Sequence, residues 1–423
     1  MNIDRIYALF LEHPSITTDS RNCLKGSLFF ALKGASFNGN QFAKDAIRAG
    51  CSYAFVDEKK FADEKSIFYV PDSLEALQQL AKKHRETLNI PVIGITGSNG
   101  KTTTKELIAS ILQQKYRVLY TQGNLNNHIG VPLTLLRLTR RDELAVVEMG
   151  ANHQGEIKEL VHIALPDYGL ITNIGKAHLE GFGSFEGVIK AKGELYDFLR
   201  EHRKKVFINQ DNEILRSIST GLDKITYGSD DTCYTKGEML NSEPFLSLKW
   251  NGRAIHTHLI GGYNFENVLA AIAIGSYFGV PAAKIAEALE VYVPQNNRSQ
   301  FKETGKNKLI IDAYNANPTS MKAAFSNFSR MPFPNKMVIL GDMKELGDQS
   351  EEEHREIVEL LSGSSLKDAF LIGPCFKQTG SSFHTYNDVD EFLGWLQQNP
   401  VRDAAILIKG SNSMHLMKVV DFL

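Results

Sequence analysis

The sequence predicts an α/β protein of three domains, with a mostly parallel central sheet. A chain of 423 residues is too long for one hydrophobic core, and its length alone predicts about three domains. From Ile90 onward, short apolar segments alternate with amphipathic helical segments, and from about Asn297 the alternation repeats more compactly. This order is typical of parallel sheets covered by helices. We therefore expect a small N-terminal α/β domain at residues 1–88, a central domain at 89–295 and a C-terminal domain at 296–423.

The first domain is predicted from two strand-like and two helix-like segments. Ser27–Leu32 and Tyr53–Val56 are short, apolar and rich in strand-forming residues. Gln41–Ala49 and Leu74–Thr87 carry apolar residues at helical spacing. The unit ends near Asn89.

The central domain is predicted from alternating strands and helices. Its strands are expected at Ile90–Ile95, Leu144–Met149 and Gly169–Ile174. Its helices are expected at Lys101–Tyr116, Gly155–Ala164, Ser184–Glu201 and Asn264–Phe278. Between Tyr227 and His258 the residues turn polar and strand-like, which predicts a β-rich insertion.

The C-terminal domain is expected to be Rossmann-like, with each of four strands followed by a helix. Ser350-Glu-Glu-Glu353 predicts a capping box at the start of one of these helices. The four strands are expected at Leu309–Ala313, Val338–Gly341, Ala369–Ile372 and Ala405–Ile408.

The charge balance excludes a global electrostatic field. The chain carries 47 Lys and Arg against 49 Asp and Glu, so no excess charge recruits nucleic acid or an anionic membrane. No apolar run approaches the ~18 residues that a membrane span needs. The four cysteines are widely separated, which argues against a disulfide scaffold and suits a reducing compartment. We expect a cytoplasmic protein with no nucleic-acid or membrane partner.

The segment from Ile93 to Thr104, Ile-Gly-Ile-Thr-Gly-Ser-Asn-Gly-Lys-Thr-Thr-Thr, joins an apolar strand to a helix through a glycine-rich turn. Gly97 and Gly100 allow the backbone N–H groups and the helix N-terminus to face an anion. Lys101 offers a charge to phosphates and Thr102 a hydroxyl to magnesium. Ile95 departs from the general P-loop pattern, which has a glycine there. The pattern predicts a mononucleotide-binding P-loop, and an ordinary turn is the alternative.

Two further residues follow buried strands, at the edge where ligands of parallel sheets gather. Glu148 closes the segment Leu144-Ala-Val-Val-Glu148, and its carboxylate could bind magnesium. His178 lies just beyond the next strand of the same sheet. The alternatives are a solvated strand-end glutamate and a structural histidine.

A lysine is predicted to point into the core. Lys192 falls on the apolar stripe of the helix Ser184–Glu201, whereas Lys190 falls off it. A buried ammonium needs a partner, a catalytic use or a modification. The alternative is that the stem packs and the ammonium reaches solvent.

Six motifs follow one another along the chain, namely Thr96-Gly-Ser-Asn-Gly-Lys-Thr-Thr-Thr104, Asn124-Leu-Asn-Asn-His-Ile-Gly-Val-Pro132, Glu148-Met-Gly150, Thr172-Asn-Ile-Gly-Lys-Ala-His178, Ala191-Lys-Gly-Glu194 and Asn315-Ala-Asn-Pro318. In these motifs the chain resembles the Mur ligases of peptidoglycan synthesis, and the resemblance covers nearly its whole length in the family's order.

The resemblance implies an ATP-dependent ligase with two magnesium ions and a carbamylated Lys192. The implied metal ligands are Thr102, Glu148, His178 and Lys192, and the implied catalytic residues are Lys101, Glu148, His178 and Lys192. The implied ATP-binding residues are Gly97, Ser98, Asn99, Gly100, Lys101, Thr102, Thr103, Asn267, Arg298 and Asp312.

The resemblance also implies the substrates, UDP-N-acetylmuramoyl-tripeptide and D-alanyl-D-alanine, and a monomer. Ser20 and Arg21 match a uridine-diphosphate contact of the first domain, and Asn126 and Asn127 match further substrate contacts. The choice of dipeptide rests on Leu340-Gly-Asp-Met-Lys-Glu-Leu-Gly347 and Ile408-Lys-Gly-Ser411. Two residues depart from the family's pattern, because Asn412 stands where the family often has arginine and Lys344 stands where a hydrophobic residue is common.

Three alternatives stay open at this point. Another, amino-acid-adding Mur ligase would share most of the motifs. A folate-glutamylating relative would share the P-loop and the modified lysine, but the 90 residues before the P-loop speak against it. A non-catalytic nucleotide switch would need no inward lysine and no third domain.

Overall fold

The computed structural model describes residues 1–295, 297–366 and 368–423. The first domain contains a four-stranded parallel sheet in the order β1-β2-β5-β6, with a small β3–β4 hairpin beside it. Its elements are α1 (Ile3–Glu12), β1 (Ile16–Thr17), β2 (Leu28–Phe30), β3 (Lys33–Gly34), β4 (Phe37–Asn38), α2 (Ala43–Ala49), β5 (Tyr53–Val56), β6 (Ile67–Tyr69) and α3 (Ser73–Leu88).

The central domain is built on a seven-stranded parallel sheet in the order β13-β12-β11-β10-β7-β9-β8. Its first elements are β7 (Val92–Thr96), α4 (Lys101–Leu112), β8 (Val118–Tyr120), α5 (Gly130–Leu135), β9 (Leu144–Glu148), α6 (Glu156–Ala164), β10 (Tyr168–Ile171), α7 (Leu179–Phe182) and α8 (Phe185–Glu201).

The second half of this domain ends the sheet and adds the predicted insertion. The elements are β11 (Lys205–Asn209), α9 (Glu213–Ile218), β12 (Asp223–Gly228), β13 (Thr235–Lys236), β14 (Glu238–Asn241), β15 (Phe245–Trp250), β16 (Arg253–Ile260), α10 (Phe265–Tyr277) and α11 (Ala282–Val291). Strands β14–β16 form a separate antiparallel sheet.

The C-terminal domain contains a six-stranded sheet in the order β17-β18-β22-β19-β20-β21, parallel except for the edge strand β17. Its elements are β17 (Gln300–Glu303), β18 (Lys308–Asp312), α12 (Pro318–Arg330), β19 (Lys336–Gly341), α13 (Ser350–Ser362), β20 (Asp368–Ile372), α14 (Pro374–Gln378), β21 (His384–Tyr386), α15 (Val389–Gln398) and β22 (Ala405–Lys409).

The three-domain α/β prediction is confirmed, with two local corrections. Ser350 does not form a capping box, because α13 continues from the 3-10 turn Gly347–Gln349 and Gln349 already has a helical backbone. A capping box forms instead at α12, between Asn317 and Ser320. Strand β22 is followed by 3-10 turns, not by an α-helix.

The central sheet and the helices that cover it form the surface on which the first domain packs. The central strands β7 and β9 are mostly apolar and buried along their whole length, and the neighbouring β10 is buried except at its first residue, which is typical of parallel sheets covered by helices. The first domain's helix α3 packs against α5 and α6 of the central domain. No helix among the described residues combines the length and the apolar composition needed to cross a bilayer.

Candidate active site

The P-loop joins β7 to α4 through two glycines in a backbone conformation that other residues rarely adopt. Gly97 and Gly100 have φ values of 144° and 78°. A Cβ at Gly97 would lie 2.0 Å from Thr172 Oγ1, and one at Gly100 would lie 2.5 Å from Asn267 Oδ1. The glycines are therefore required both by the turn and by the residues that surround it.

The loop is also fixed by hydrogen bonds to the segment that follows β10. The backbone N–H of Asn99 donates to Asn173 Oδ1 (2.9 Å), and the hydroxyl of Ser98 donates to the carbonyl of Gly175 (3.0 Å). Because these bonds leave the N-terminus of α4 facing the cavity, an anion can be held there with little rearrangement.

Lys101 is the cation of the P-loop. Its Nζ donates to the carbonyl of Gly97 (2.6 Å). Burial in the cavity lowers the pKa of Lys101 to about 8, an effect that the Glu148 carboxylate opposes and the Arg298 guanidinium reinforces. An unpaired charge in such a site favours a bound anion.

Glu148 ends β9 and is buried, with 1% of its surface exposed. Its carboxylate accepts hydrogen bonds from Thr102 Oγ1 (3.1 Å) and Asn126 Nδ2 (2.8 Å). The ammonium of Lys105 lies 3.7 Å from Glu148 Oε2. The alternative of a solvated strand-end glutamate is therefore wrong.

His178 lies before α7 in a left-handed conformation, with φ of 52°. Its Nδ1 contacts the carboxylate of Glu345, which belongs to the C-terminal domain. The backbone N–H of Glu180 also donates to the carbonyl of Glu345 (3.2 Å). The histidine thus lies where the central and C-terminal domains meet.

Lys192 points into the core of the central domain, as its position on the helix predicts. Only 1% of the residue is exposed, whereas Lys190 is exposed. Its Nζ donates to the carbonyl of Ala151 (3.2 Å) and lies 5.0 Å from the ring centre of Phe182. Burial, reinforced by the charge of Lys101, lowers the pKa of Lys192 well below its ordinary value. The alternative in which its ammonium reaches solvent is wrong.

The C-terminal domain contributes charged residues from the ends of adjacent strands. Asp312 and Lys409 are register partners on β18 and β22, and their side chains form an ion pair at 2.5 Å. The guanidinium of Arg298 lies 3.8 Å from the ring centre of Tyr314, a cation–π geometry. Asn317 Nδ2 donates to Asn99 Oδ1 (2.8 Å) and so connects this domain to the P-loop.

These residues surround a cavity of about 880 Å³ between the central and C-terminal domains. It is lined by most of the predicted site residues, namely Ser98, Asn99, Gly100, Lys101, Thr102, Thr103, Asn126, Asn127, Glu148, His178, Asn267, Arg298 and Asp312. Gly97 is buried in the loop, and Lys192 lies behind the wall, bonded to the lining residue Ala151.

Ser20 and Arg21 do not line this cavity. They lie on a turn of the first domain, where Arg21 pairs with Asp19 at 2.9 Å and leaves 88% of its side chain exposed. Hydrogen bonds from Arg21 lower the pKa of Asp19 to about 2.

The comparisons with known proteins agree with this architecture. Three family models match in succession: "Mur ligase family, catalytic domain" at 14–85, "Mur ligase middle domain" at 95–275, and "Mur ligase, glutamate ligase domain" at 297–412. The chain belongs to the Mur ligase family.

Known Mur ligases and their crystal structures resemble the chain over almost its full length. The UDP-N-acetylmuramoyl-tripeptide–D-alanyl-D-alanine ligase of Bacillus subtilis is 36% identical, with 96% of this chain and 92% of that protein covered. The crystal structure of MurF from Acinetobacter baumannii has a TM-score of 0.86 at 31% identity, covering 96% of this chain and 92% of its own. MurF from Thermotoga maritima, solved in complex with ADP, has a TM-score of 0.85 at 26% identity, covering 97% of each chain.

Several residues of this Mur ligase site had no predicted role. Lys105 is 1% exposed and faces Glu148. The helical spacing that points Lys192 inward could have identified it, because Lys105 lies three residues before the buried Ile108. Asn173 and Glu345 lie within the motifs 172–178 and 340–347, but nothing in these motifs indicates their contacts. Tyr314 follows β18, and no local pattern distinguishes it from other loop residues.

The donors present fit a magnesium site. Magnesium prefers oxygen ligands and accepts few protein side chains. A buried carboxylate and a P-loop hydroxyl, those of Glu148 and Thr102, lie within hydrogen-bond distance of each other. His178 lies in the segment that follows β10, and the buried Lys192 lies in α8.

Proposed function

We propose that this chain is an ATP-dependent ligase that joins D-alanyl-D-alanine to a UDP-N-acetylmuramoyl-tripeptide in peptidoglycan precursor synthesis. The observation that carries the proposal is the cavity in which the P-loop of the central domain faces strand-end loops of the C-terminal domain. The choice of substrates rests on the name of the Bacillus subtilis relative, which the chain matches over 96% of its length.

The proposed chemistry is acyl-phosphate formation followed by amide formation. The tripeptide's terminal carboxylate attacks the γ-phosphorus of ATP and releases ADP, and the amine of the dipeptide then displaces phosphate through a tetrahedral intermediate. No protein nucleophile is required. The protein contributes positioning and charge neutralisation, which account for most of the acceleration in phosphoryl transfer.

The P-loop is proposed to hold the nucleotide phosphates. Gly97 to Thr103 offer backbone N–H groups at the N-terminus of α4, and Lys101 offers its ammonium. We assign the adenine contact to Asn267, which lies against Gly100, and further nucleotide contacts to Arg298 and Asp312 across the cavity.

Two magnesium ions are proposed to be held by Thr102, Glu148, His178 and a carbamylated Lys192. Bound magnesium would supply positive charge to the phosphate oxygens. Burial lowers the pKa of the Lys192 amine and so favours its neutral form, which is the form that adds CO2. The nitrogen of the neutral amine forms a bond to the CO2 carbon and loses a proton, so that the neutral amine becomes an anionic carbamate.

Closure of the C-terminal domain would exclude water from the acyl phosphate. The described contacts between the two domains support a closed arrangement. Asn317 bonds to Asn99 at the P-loop, and Lys176 pairs with the buried carboxylate of Glu353 at 2.5 Å.

The first domain is proposed to bind the uridine diphosphate through Ser20 and Arg21. Asn126 and Asn127 precede α5 at the cavity and are proposed to contact the muramoyl-peptide. The proposed domain bounds, 1–88, 89–295 and 296–423, contain the three family-model matches. The predicted first residue of the third domain, Asn296, lies outside the described residues. The protein is proposed to act as a monomer in the cytoplasm.

The test is phosphate release from ATP measured against a matrix of acceptors and amines. The proposal predicts release only when a UDP-muramoyl-tripeptide and D-alanyl-D-alanine are both present. Release with a single amino acid instead would indicate an amino-acid-adding Mur ligase. Release with a folate acceptor and glutamate would indicate a folylpolyglutamate-synthase-like ligase.

A further inference from the structure

The segment that follows β10 carries a lysine that reaches across to the C-terminal domain. Lys176 Nζ donates to Glu353 Oε1 (2.5 Å), and Glu353 lies in the first turn of α13. The lysine side chain is 44% exposed, whereas only 1% of the glutamate side chain is exposed. The pair therefore joins a half-exposed cation of one domain to a buried carboxylate of another.

Glu353 depends on this cation for most of its charge compensation. Within the part of the chain that the structure describes, its Oε2 atom is buried without a hydrogen-bond partner. A second ammonium, that of Lys322 on α12, lies 3.7 Å from Oε2 but also pairs with Glu356. A buried carboxylate that loses its countercharge is strongly destabilised. Glu353 is therefore costly to keep buried when Lys176 is removed.

The segment that carries Lys176 is bonded both to the P-loop and to the C-terminal domain. The N–H of Gly175 donates to Ser98 Oγ (3.0 Å) in the P-loop. The N–H of Lys176 donates to Thr319 Oγ1 (3.1 Å) in the first turn of α12. Two residues later lies His178, a proposed metal ligand. The position of the C-terminal domain is thus connected through one short segment to the loop that is proposed to hold the phosphates.

We propose that Lys176 and Glu353 form an interdomain latch, which favours the closed arrangement of the central and C-terminal domains and connects it to the P-loop. Separation of the domains breaks the ion pair and returns both charged groups to water, so the latch shifts the equilibrium between open and closed forms without fixing it. The inference deepens the proposed function, in which closure protects the acyl phosphate from water.

The connection to the P-loop makes the effect reciprocal. If a nucleotide at the P-loop favours closure, then closure strengthens nucleotide binding by the same factor. A variant without the latch should therefore be more open and should also bind nucleotide more weakly.

The test is hydrogen exchange of the full-length enzyme without nucleotide, measured by mass spectrometry. Two amides of the central domain donate across the interface, those of Lys176 and Glu180. Their exchange reports opening directly, because opening exposes them to water. In Lys176→Met the exchange of residues 176–180, relative to intrinsic rates, should become about tenfold faster, as the loss of one charged hydrogen bond predicts. The amides of strand β19, inside the C-terminal domain, should exchange as in wild type.

Two further variants separate the ion pair from the buried charge that it compensates. Glu353→Gln buries no charge, and its amide oxygen can still accept from Lys176, so its exchange should change little. Lys176→Met/Glu353→Gln should return most of the way to wild type. The control is Lys322→Met, which removes a charge near the same carboxylate from within the C-terminal domain and should leave residues 176–180 as in wild type.

The link to the P-loop is tested by titrating a non-hydrolysable ATP analogue with magnesium, followed by calorimetry. Lys176→Met should bind the analogue more weakly than wild type and Lys322→Met do. Equal affinities would overturn the link.

Three results of the exchange experiment would overturn the latch itself. They are unchanged exchange of residues 176–180 in Lys176→Met, equal acceleration in strand β19, which would indicate a general loss of stability, and equal acceleration in Lys322→Met. None of these results depends on ligation, which phosphate release against the acceptor matrix tests separately. Failure of the latch and failure of the proposed function are therefore distinguishable.

Discussion

Lys105 and Glu148 form a buried pair of opposite charges beneath the P-loop, with Nζ 3.7 Å from Oε2 and 1% of each side chain exposed. Lys105 lies one helical turn after Lys101, so α4 presents one lysine to the cavity and another to the carboxylate behind it. The pair, together with the hydrogen bonds from Thr102 and Asn126, holds the orientation of the Glu148 carboxylate.

We expect Lys105→Met to destabilise the central domain by about 3 kcal/mol, because it leaves a buried carboxylate without its countercharge. The double variant Lys105→Met/Glu148→Gln should recover most of the loss. Thermal unfolding followed by calorimetry measures both. If Lys105→Met proved as stable as wild type, the ion pair with Glu148 would make no contribution to the stability of the central domain.

Glu148→Gln should raise the magnesium concentration required for half-maximal activity several-fold or more. The amide keeps the shape of the side chain and one acceptor oxygen but loses the charge that binds the ion. A magnesium titration of ligation, with magnesium-dependent nucleotide binding as a second readout, tests this. Superimposable titrations of the two enzymes would exclude Glu148 as a ligand.

Lys192→Ala should lose most of its activity and recover part of it when acetate is added, because a small carboxylate can enter the vacated space. Lys190→Ala, on the exposed side of the same helix, is the matched control and should retain activity. Carbon-13 bicarbonate NMR at neutral pH should show a carbamate in wild type and in Lys190→Ala. Near-normal turnover of Lys192→Ala, with no carbamate signal in wild type, would exclude the modification.

His354 should make the C-terminal domain less stable in mild acid. Burial lowers the pKa of His354, and the Lys344 ammonium lowers it further, against the opposing effects of Ser350 and Asp342. Because the folded pKa lies below the unfolded value of about 6.5, the folded state binds fewer protons. The stabilisation is therefore complete above about pH 6.5 and is lost as the pH falls toward the folded pKa.

The measurement is the difference in Tm between pH 7.5 and pH 5.5 for wild type and for His354→Gln. Glutamine can accept the N–H of Met343 as His354 Nε2 does, but it does not titrate. The variant should lose less stability on acidification than wild type loses. Equal losses would assign the acid sensitivity to other groups.

Much of this fold could be predicted from the sequence because its parallel strands are buried on both faces. Such strands appear as continuous apolar runs, and the helices between them carry clear apolar stripes. The boundaries were less predictable. Strand β10 ends at Ile171, three residues before its predicted end, and the released segment supplies Asn173, which fixes the P-loop.

The candidate site was predictable where chemistry follows a local pattern, as at Gly97, Lys101 and Lys192. It was not predictable where a residue acts from another domain. Nothing near Glu345 indicates that it meets His178, and nothing near Asn317 indicates that it bonds to Asn99. These contacts depend on how two separately folded domains pack together, which periodicity within either domain does not specify.

The most direct test of the account is the fate of oxygen-18 placed in the terminal carboxylate of the UDP-muramoyl-tripeptide. If that carboxylate attacks the γ-phosphorus of ATP, the bridging oxygen leaves with phosphate when the dipeptide's amine forms the amide. Wild type should therefore release inorganic phosphate containing one oxygen-18 for each amide formed, as measured by mass spectrometry. Unlabelled phosphate, or label appearing in AMP, would contradict the proposed acyl-phosphate ligase.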